Sequence, residues 1–124
     1  MTYTAVYEQH YGRQHILVVD CGGTGGFVAE GLARLLPEKW EIILQDHDRV
    51  EERNLLRQNF FARDLGKFKS QALAERLSDN YRRPIGYYVT PFTRDSITVE
   101  YGTILVGCVD NAAARKAMSN AHAS

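Results

Sequence analysis

Residues 15–36 constrain the fold more than any other stretch of this chain. His15-Ile-Leu-Val-Val-Asp20 is a short apolar run rich in β-branched residues, and it reads as a strand buried on both faces. Gly22-Gly-Thr-Gly-Gly26 follows at once. From Phe27 to Leu36 the residues Val28, Leu32, Leu35 and Leu36 then share one helical stripe, and Pro37 stops it. A buried strand, a glycine turn and an amphipathic helix in immediate succession open a parallel strand–helix–strand unit.

The rest of the chain continues the alternation. Trp40–Gln45 is a second strand, ending at Asp46-His-Asp48, and an irregular polar stretch follows through Arg63. A second helix runs from about Phe68 to Leu77 on Ala72, Leu73, Ala74 and Leu77, and Ile85–Thr90 is a third, weaker strand. Thr103–Gly107 is a fourth, continuously apolar strand, with a helix from Asn111 through Ala113, Arg115 and Met118. The pattern predicts an α/β fold: a Rossmann-like, mostly parallel sheet with helices on both faces. Right-handed crossovers then place ligands beyond the C-terminal ends of the strands. No repeat, low-complexity tract or Pro/Ser-rich linker interrupts the chain, so residues 1–124 read as a single domain.

Composition narrows the function classes. The 124 residues carry 15 Lys+Arg against 15 Asp+Glu, which argues against a general nucleic-acid or membrane-surface binder. No apolar run approaches the roughly 18 residues of a membrane span, and Met1–Gln14 lacks the apolar region of a signal peptide. The two cysteines form neither a Cys-x-x-Cys pair nor a disulfide framework, as expected for a reducing cytoplasm, and they exclude a four-thiolate zinc site. Of the 15 basic residues 11 are Arg, whose planar fork suits phosphate or carboxylate, although genome bias gives the same count.

The glycine loop carries the first chemical signal. Glycines let a backbone approach a phosphate, and the helix behind them aims free N–H groups and a partial positive charge at it. A plain strand–helix turn is the competing reading; the position after a buried strand favours nucleotide binding through Gly22, Gly23 and Gly25. The dinucleotide pattern G-x-G-x-x-G is not met, because Asp20 stands where its first glycine belongs. A carboxylate there repels phosphate, so Asp20→Gly is expected to tighten nucleotide binding. Asp46, at the end of the second strand, suits hydrogen bonds to ribose hydroxyls, or serves ordinary turn chemistry.

Five blocks in order resemble one family. They are the glycine loop, Asp46-His-Asp-Arg-Val50, Asn54-Leu-Leu-Arg-Gln58, Gly66-Lys-Phe-Lys69 and Asp110-Asn-Ala-Ala-Ala-Arg115. Together they resemble the ThiF/MoeB/HesA group of ubiquitin-activating-type adenylating enzymes. The resemblance implies ATP and Mg²⁺ binding, and transfer of AMP to the C-terminal carboxylate of a ubiquitin-like or sulfur-carrier protein ending in Gly-Gly. It implies that Asp46 takes the ribose, and that Asn54, Arg57 and Lys69 grip the triphosphate. Arg57 and Lys69 offset charge as pyrophosphate leaves, Asp110 holds Mg²⁺, and Gln58 shapes the site.

The residue types suit that chemistry. A carboxylate attacking an α-phosphate is anion on anion, so catalysis must supply positive charge and alignment. Asn54 and Arg57, at i and i+3, are expected on one side of a helical turn. Each also has a plainer reading: Asn54–Gln58 as a solvated loop, Lys69 as a surface lysine at a helix start, and Asp110-Asn111 as an N-cap. The histidines show no ligand spacing, and Cys21 and Cys108 are small thiols at strand ends.

The chain also departs from the family pattern. Arg13 is the only N-terminal candidate for the further arginine of this group, and its place two residues before the first strand leaves it unassigned. The sequence ends one helix past Asp110-Asn111, so the fold is expected to be truncated relative to the family, without its acceptor-docking region. A homodimer is expected, because a sheet ending at the fourth strand leaves an edge to bury. An NAD(P)-binding Rossmann domain and a non-catalytic nucleotide- or partner-binding remnant are the rival readings.

Overall fold

A computed structural model describes residues 14–91 and 103–107. In chain order the elements are β1 (His15–Val19), α1 (Gly23–Leu35), β2 (Glu41–Gln45), 3-10 turns at Glu52–Asn54 and Ala62–Asp64, α2 (Lys69–Tyr81), β3 (Ile85–Tyr88) and β4 (Thr103–Gly107). The strands form one four-stranded sheet in the order β3-β2-β1-β4, and every pairing is parallel. In register, His15 lies beside Glu41 and Thr103, and Val19 beside Gln45 and Gly107. The chain runs outward from β1 to β3 and then returns to β1's other side. The resulting switch point, between the C-terminal ends of β1 and β4, is where open α/β sheets bind ligands.

The central strands β1 and β2 are buried along their whole length. Ile16, Val18, Ile42, Leu44, Ile85 and Tyr87 form one core with Ala29 and Ala33 of α1 and with Ala72, Leu73, Ala74 and Leu77 of α2. Leu17, Val19 and Ile43, at the alternate positions, are buried as well. Each fully buried large aliphatic residue contributes about 1.5–3 kcal/mol relative to exposure.

The first helix differs from the expected one. It begins at Gly23, inside the glycine loop, and its buried residues are Gly25, Gly26, Ala29 and Ala33. Leu35, expected on the core stripe, is 82% exposed, while Leu32 and Leu36 are partly buried. Small residues let α1 lie close against β1: a Cβ at Gly26 would sit 2.8 Å from the Cys21 carbonyl oxygen. Close packing of helix on strand therefore sets this face, and leucine periodicity does not.

Two arginines close the helices. Arg82 adopts the left-handed conformation (φ 51°) and ends α2. Arg83 is buried and donates to the carbonyl oxygens of Ala33, Leu36, Pro37 and Trp40 at 2.6–3.3 Å, which caps the C-terminus of α1 with a positive charge. Burial holds the Arg83 guanidinium below its ordinary pKa. Among the described residues, no helix is long and apolar enough to cross a membrane.

Candidate functional site

The turn from β1 into α1 carries its own strain. Val19 is the last strand residue, and Asp20 adopts φ 76°, a conformation that favours glycine. The Asp20 N–H still reaches the Gln45 carbonyl at 2.8 Å, so the turn stays anchored to β2. Its carboxylate folds forward, and Oδ1 accepts the Gly22 N–H at 2.9 Å. Gly22 is the N-cap of α1 in extended conformation, with no side chain capping the helix, and Gly23 sits at φ 40°. A Cβ at position 22 would lie 3.0 Å from Gln58 Oε1, so a larger residue there would press on the Gln58 side chain.

Asp46 braces this loop from below. It is buried, Oδ2 accepts the Cys21 N–H at 2.8 Å, and Oδ1 accepts the Asp48 N–H at 2.9 Å. Burial raises its pKa, opposed by those two backbone hydrogen bonds, and the nearby charges of Asp20 and Asp48 raise it further. Each carboxylate oxygen keeps a second lone pair, so Asp46 can hold the turn and still accept a hydroxyl.

The distant motif blocks are tied to the same place by backbone bonds. Arg49 and Phe68 form an antiparallel bridge, Val50 N–H bonds the Lys67 carbonyl at 2.8 Å, and Lys69 N–H bonds the Asp48 carbonyl at 2.8 Å. Gly66, at φ 84°, makes the return possible, and the Arg49 guanidinium lies 4.0 Å above the Phe68 ring. Ser70 Oγ donates between the carbonyls of Asp46 (3.1 Å) and Tyr88 (2.8 Å). The start of α2 is thereby fastened to the C-terminal ends of β2 and β3.

Asn54, Arg57 and Lys69 occupy different environments. Asn54 is buried in the first 3-10 turn, and its Oδ1 accepts the Glu51 N–H at 2.8 Å as half of a capping box. Arg57 is exposed, with no hydrogen-bond or ion-pair partner among the described residues. The sequence places the two on one side of a turn; in the fold one faces inward and the other outward. Lys69 is only 7% exposed, and its ammonium pairs with no carboxylate among the described residues. A cation at a helix N-terminus opposes the helix dipole, which suits a position that receives an anion. The plainer reading of a surface lysine does not describe it. Gln58, assigned only a shaping role, lies against Gly22, and its buried Oε1 accepts no hydrogen bond among the described residues.

A second polar cluster, unseen in the sequence, holds the loop between β2 and α2 in place. Asn59 Nδ2 donates to the Gly26 carbonyl (3.2 Å) and to Glu30 Oε1 (2.7 Å), and the Tyr81 hydroxyl donates to Glu30 Oε2 (2.9 Å). Arg76 pairs with Asp64 Oδ2 at 2.6 Å, donates to the Asn59 carbonyl at 2.5 Å, and lies 4.7 Å from the Phe61 ring centroid. The hydrogen bonds from Asn59 and Tyr81 hold the Glu30 pKa below its ordinary value. No period or motif relates these positions, so only the tertiary fold reveals them.

Asp110, Asn111, Cys108 and Arg13 lie outside the described residues. Within them, Asp46, His47 and Asp48 offer three ligand atoms within 4.8 Å of one another. Carboxylate oxygens are the donors Mg²⁺ takes, but both oxygens of Asp46 already accept backbone N–H groups. The glycine loop fits a phosphate better than the acidic turn fits a metal, because it offers the uncapped N-terminus of α1.

Comparison with known proteins agrees with this geometry. A family model described as the ThiF family matches residues 6–124. The ATP-dependent ubiquitin transferase-like protein Cap2 of Escherichia coli (strain TW11681) is 32% identical over 97 residues, covering 74% of this chain and 16% of that protein. Among solved structures, E. coli tRNA N6-threonylcarbamoyladenosine dehydratase, TcdA, in complex with ATP superposes with a TM-score of 0.74 at 26% identity, covering 93% of this chain and 48% of that one. E. coli MccB with ATP gives a TM-score of 0.55 at 27% identity, over 71% of this chain and 26% of that one. The chain thus spans about half the length of TcdA and a smaller share of the other two. The matched family, the parallel sheet and the glycine loop at its switch point lead to one conclusion: the chain belongs to the ThiF family.

Proposed function

We propose that the chain is the ATP-handling part of an adenylating protein that activates the C-terminal carboxylate of a ubiquitin-like or sulfur-carrier protein ending in Gly-Gly. One observation carries this reading. Backbone bonds bring the glycine loop, Asp46 and Lys69 to one edge of the sheet, and Gln58 lies against the same loop. The names of the relatives support it: Cap2 is called an ATP-dependent ubiquitin transferase-like protein, and TcdA is solved with ATP and with AMP.

In this reading the N–H groups of Gly23 and Thr24 and the dipole of α1 receive phosphate oxygens, because the Gly25 N–H is already bonded to the Gly22 carbonyl at 2.9 Å. Asp46 accepts a ribose hydroxyl through its remaining lone pairs, and Asn54 orients the polyphosphate with Arg57. Lys69 and Arg57 lower the repulsion as an acceptor carboxylate oxygen attacks the α-phosphorus. The bond to pyrophosphate breaks, leaving an acyl adenylate. Asp110 holds the accompanying Mg²⁺, which supplies further positive charge to the phosphates. A cytoplasmic homodimer completes the proposal.

An NAD(P) site is the second reading, since the strand order is that of dinucleotide-binding folds. Asp20 at the first-glycine position and the Asn54–Gln58 block argue against it. The test is ATP–pyrophosphate exchange by the full chain, with and without candidate Gly-Gly-ended proteins. Exchange that disappears in Arg57→Ala and Asp110→Ala is the expected result. ATP binding without exchange under any condition would leave only a nucleotide-binding remnant.

A further inference from the structure

The glycine loop holds one residue that works against its apparent purpose. Asp20 stands at the first-glycine position of the nucleotide pattern, and its backbone takes the glycine-like φ of 76°. Its side chain neither points away from the loop nor lies free. Oδ1 accepts the Gly22 N–H at 2.9 Å, so a donor at the mouth of α1 is already bound to an anion of the protein itself. The next N–H along the turn, that of Cys21, is bound to Asp46. Two adjacent backbone donors of a presumed phosphate cradle therefore serve internal carboxylates. The donors left to a ligand begin at Gly23.

We infer that Asp20 sets the charge preference of this loop: it acts as a resident anion that competes with phosphate, and it weakens nucleotide binding in proportion to the ligand's phosphate charge. This rests on the reading of the loop as a nucleotide site and adds a determinant of which nucleotide it favours. The physical reason is direct. A ligand phosphate at Gly22 must displace Oδ1 from its N–H, and any phosphate nearby meets a fixed negative charge. The repulsion is a sum over ligand charges, so ATP suffers more than ADP, ADP more than AMP, and adenosine not at all. In the reading above Lys69 and Arg57 supply the opposing positive charge, so the site balances charges where a simple cradle would only attract.

Three chains separate the two effects of the side chain. Asp20→Asn keeps an oxygen for the Gly22 N–H and tolerates the left-handed backbone, but removes the charge. Asp20→Gly removes both charge and oxygen and suits φ 76°. Calorimetric titration of the full chain with ATP, ADP, AMP and adenosine should show ATP binding to Asp20→Gly tighter by roughly tenfold, as expected for one partly screened charge. Asp20→Asn should recover part of that gain. The gain should shrink through ADP and AMP, vanish for adenosine, and diminish in high salt.

Equal ATP affinity in all three chains, or the same gain for adenosine as for ATP, would overturn the inference. A Lys69→Ala control distinguishes the levels. If that variant loses ATP while Asp20→Gly gains nothing, the nucleotide reading stands and the role of Asp20 falls. If neither the parent chain nor Asp20→Gly binds ATP, both fall.

Discussion

Arg57 and Asn59 lie two residues apart and meet opposite fates. Asn59 is buried and bonded to Gly26, Glu30 and Arg76, whereas Arg57 is exposed and without a partner among the described residues. The contrast extends to the regions each belongs to. Around Asn59, the Glu30, Asp64, Arg76 and Tyr81 side chains all find partners. Around the glycine loop, Lys69 is buried without a carboxylate, Gln58 Oε1 is buried without a donor, and Asp20 holds a strained backbone. Satisfied polar groups fix a fold, and unsatisfied ones persist where a ligand completes them. The same loop therefore serves as brace on one side and candidate binding edge on the other.

Breaking the brace should have the largest effect. Arg76 and Asp64 are 8% and 5% exposed at their side chains, so Arg76→Ala leaves a buried carboxylate without its cation. A loss of about 3–5 kcal/mol is expected in denaturant titration, with the melting midpoint falling accordingly. If stability is unchanged, the cluster is not a brace and the comparison fails.

Acid should sharpen the contrast more gently. Glu30 is held below its ordinary value of 4.5 by the hydrogen bonds from Asn59 and Tyr81. Its contribution to stability is therefore fully present above 4.5 and lost as pH falls through the lower folded value. Asp46 has the opposite sign, because burial raises its pKa and protonation then favours the fold as pH falls into that range. In Glu30→Gln the melting midpoint should respond less to acidification below pH 4.5 than in the parent chain. An unaltered acid limb would mean that Glu30 is not coupled to folding.

Much of this was legible in the sequence, because the strands are continuous apolar runs and the blocks near the site are local motifs. His15, Trp40 and Ile85 lie within one residue of real strand starts, and α2 occupies the expected segment. The start of α1 was not legible. Gly25, Gly26, Ala29 and Ala33 make a face by their smallness, while a hydrophobic stripe is read from large residues such as Leu35. The task of Asp46 was only half visible, since its observed partners are backbone N–H groups that leave no trace in side-chain patterns. The brace was invisible for a related reason. Glu30, Asn59, Arg76 and Tyr81 meet only after α1, the loop and α2 have packed together.

The central claim is that the unsatisfied edge binds ATP through Lys69. Calorimetric titration of MgATP, and separately of NADH, into the full chain and into Lys69→Met tests it most directly. The expected result is ATP binding by the parent chain, weakened at least about 30-fold in Lys69→Met, which corresponds to roughly 2 kcal/mol from one desolvated charge contact. The melting midpoint of Lys69→Met should hold or rise, because a cation that opposes the helix dipole is removed from a helix N-terminus. ATP affinity indifferent to Lys69, or NADH bound more tightly than ATP without Mg²⁺, would contradict the account.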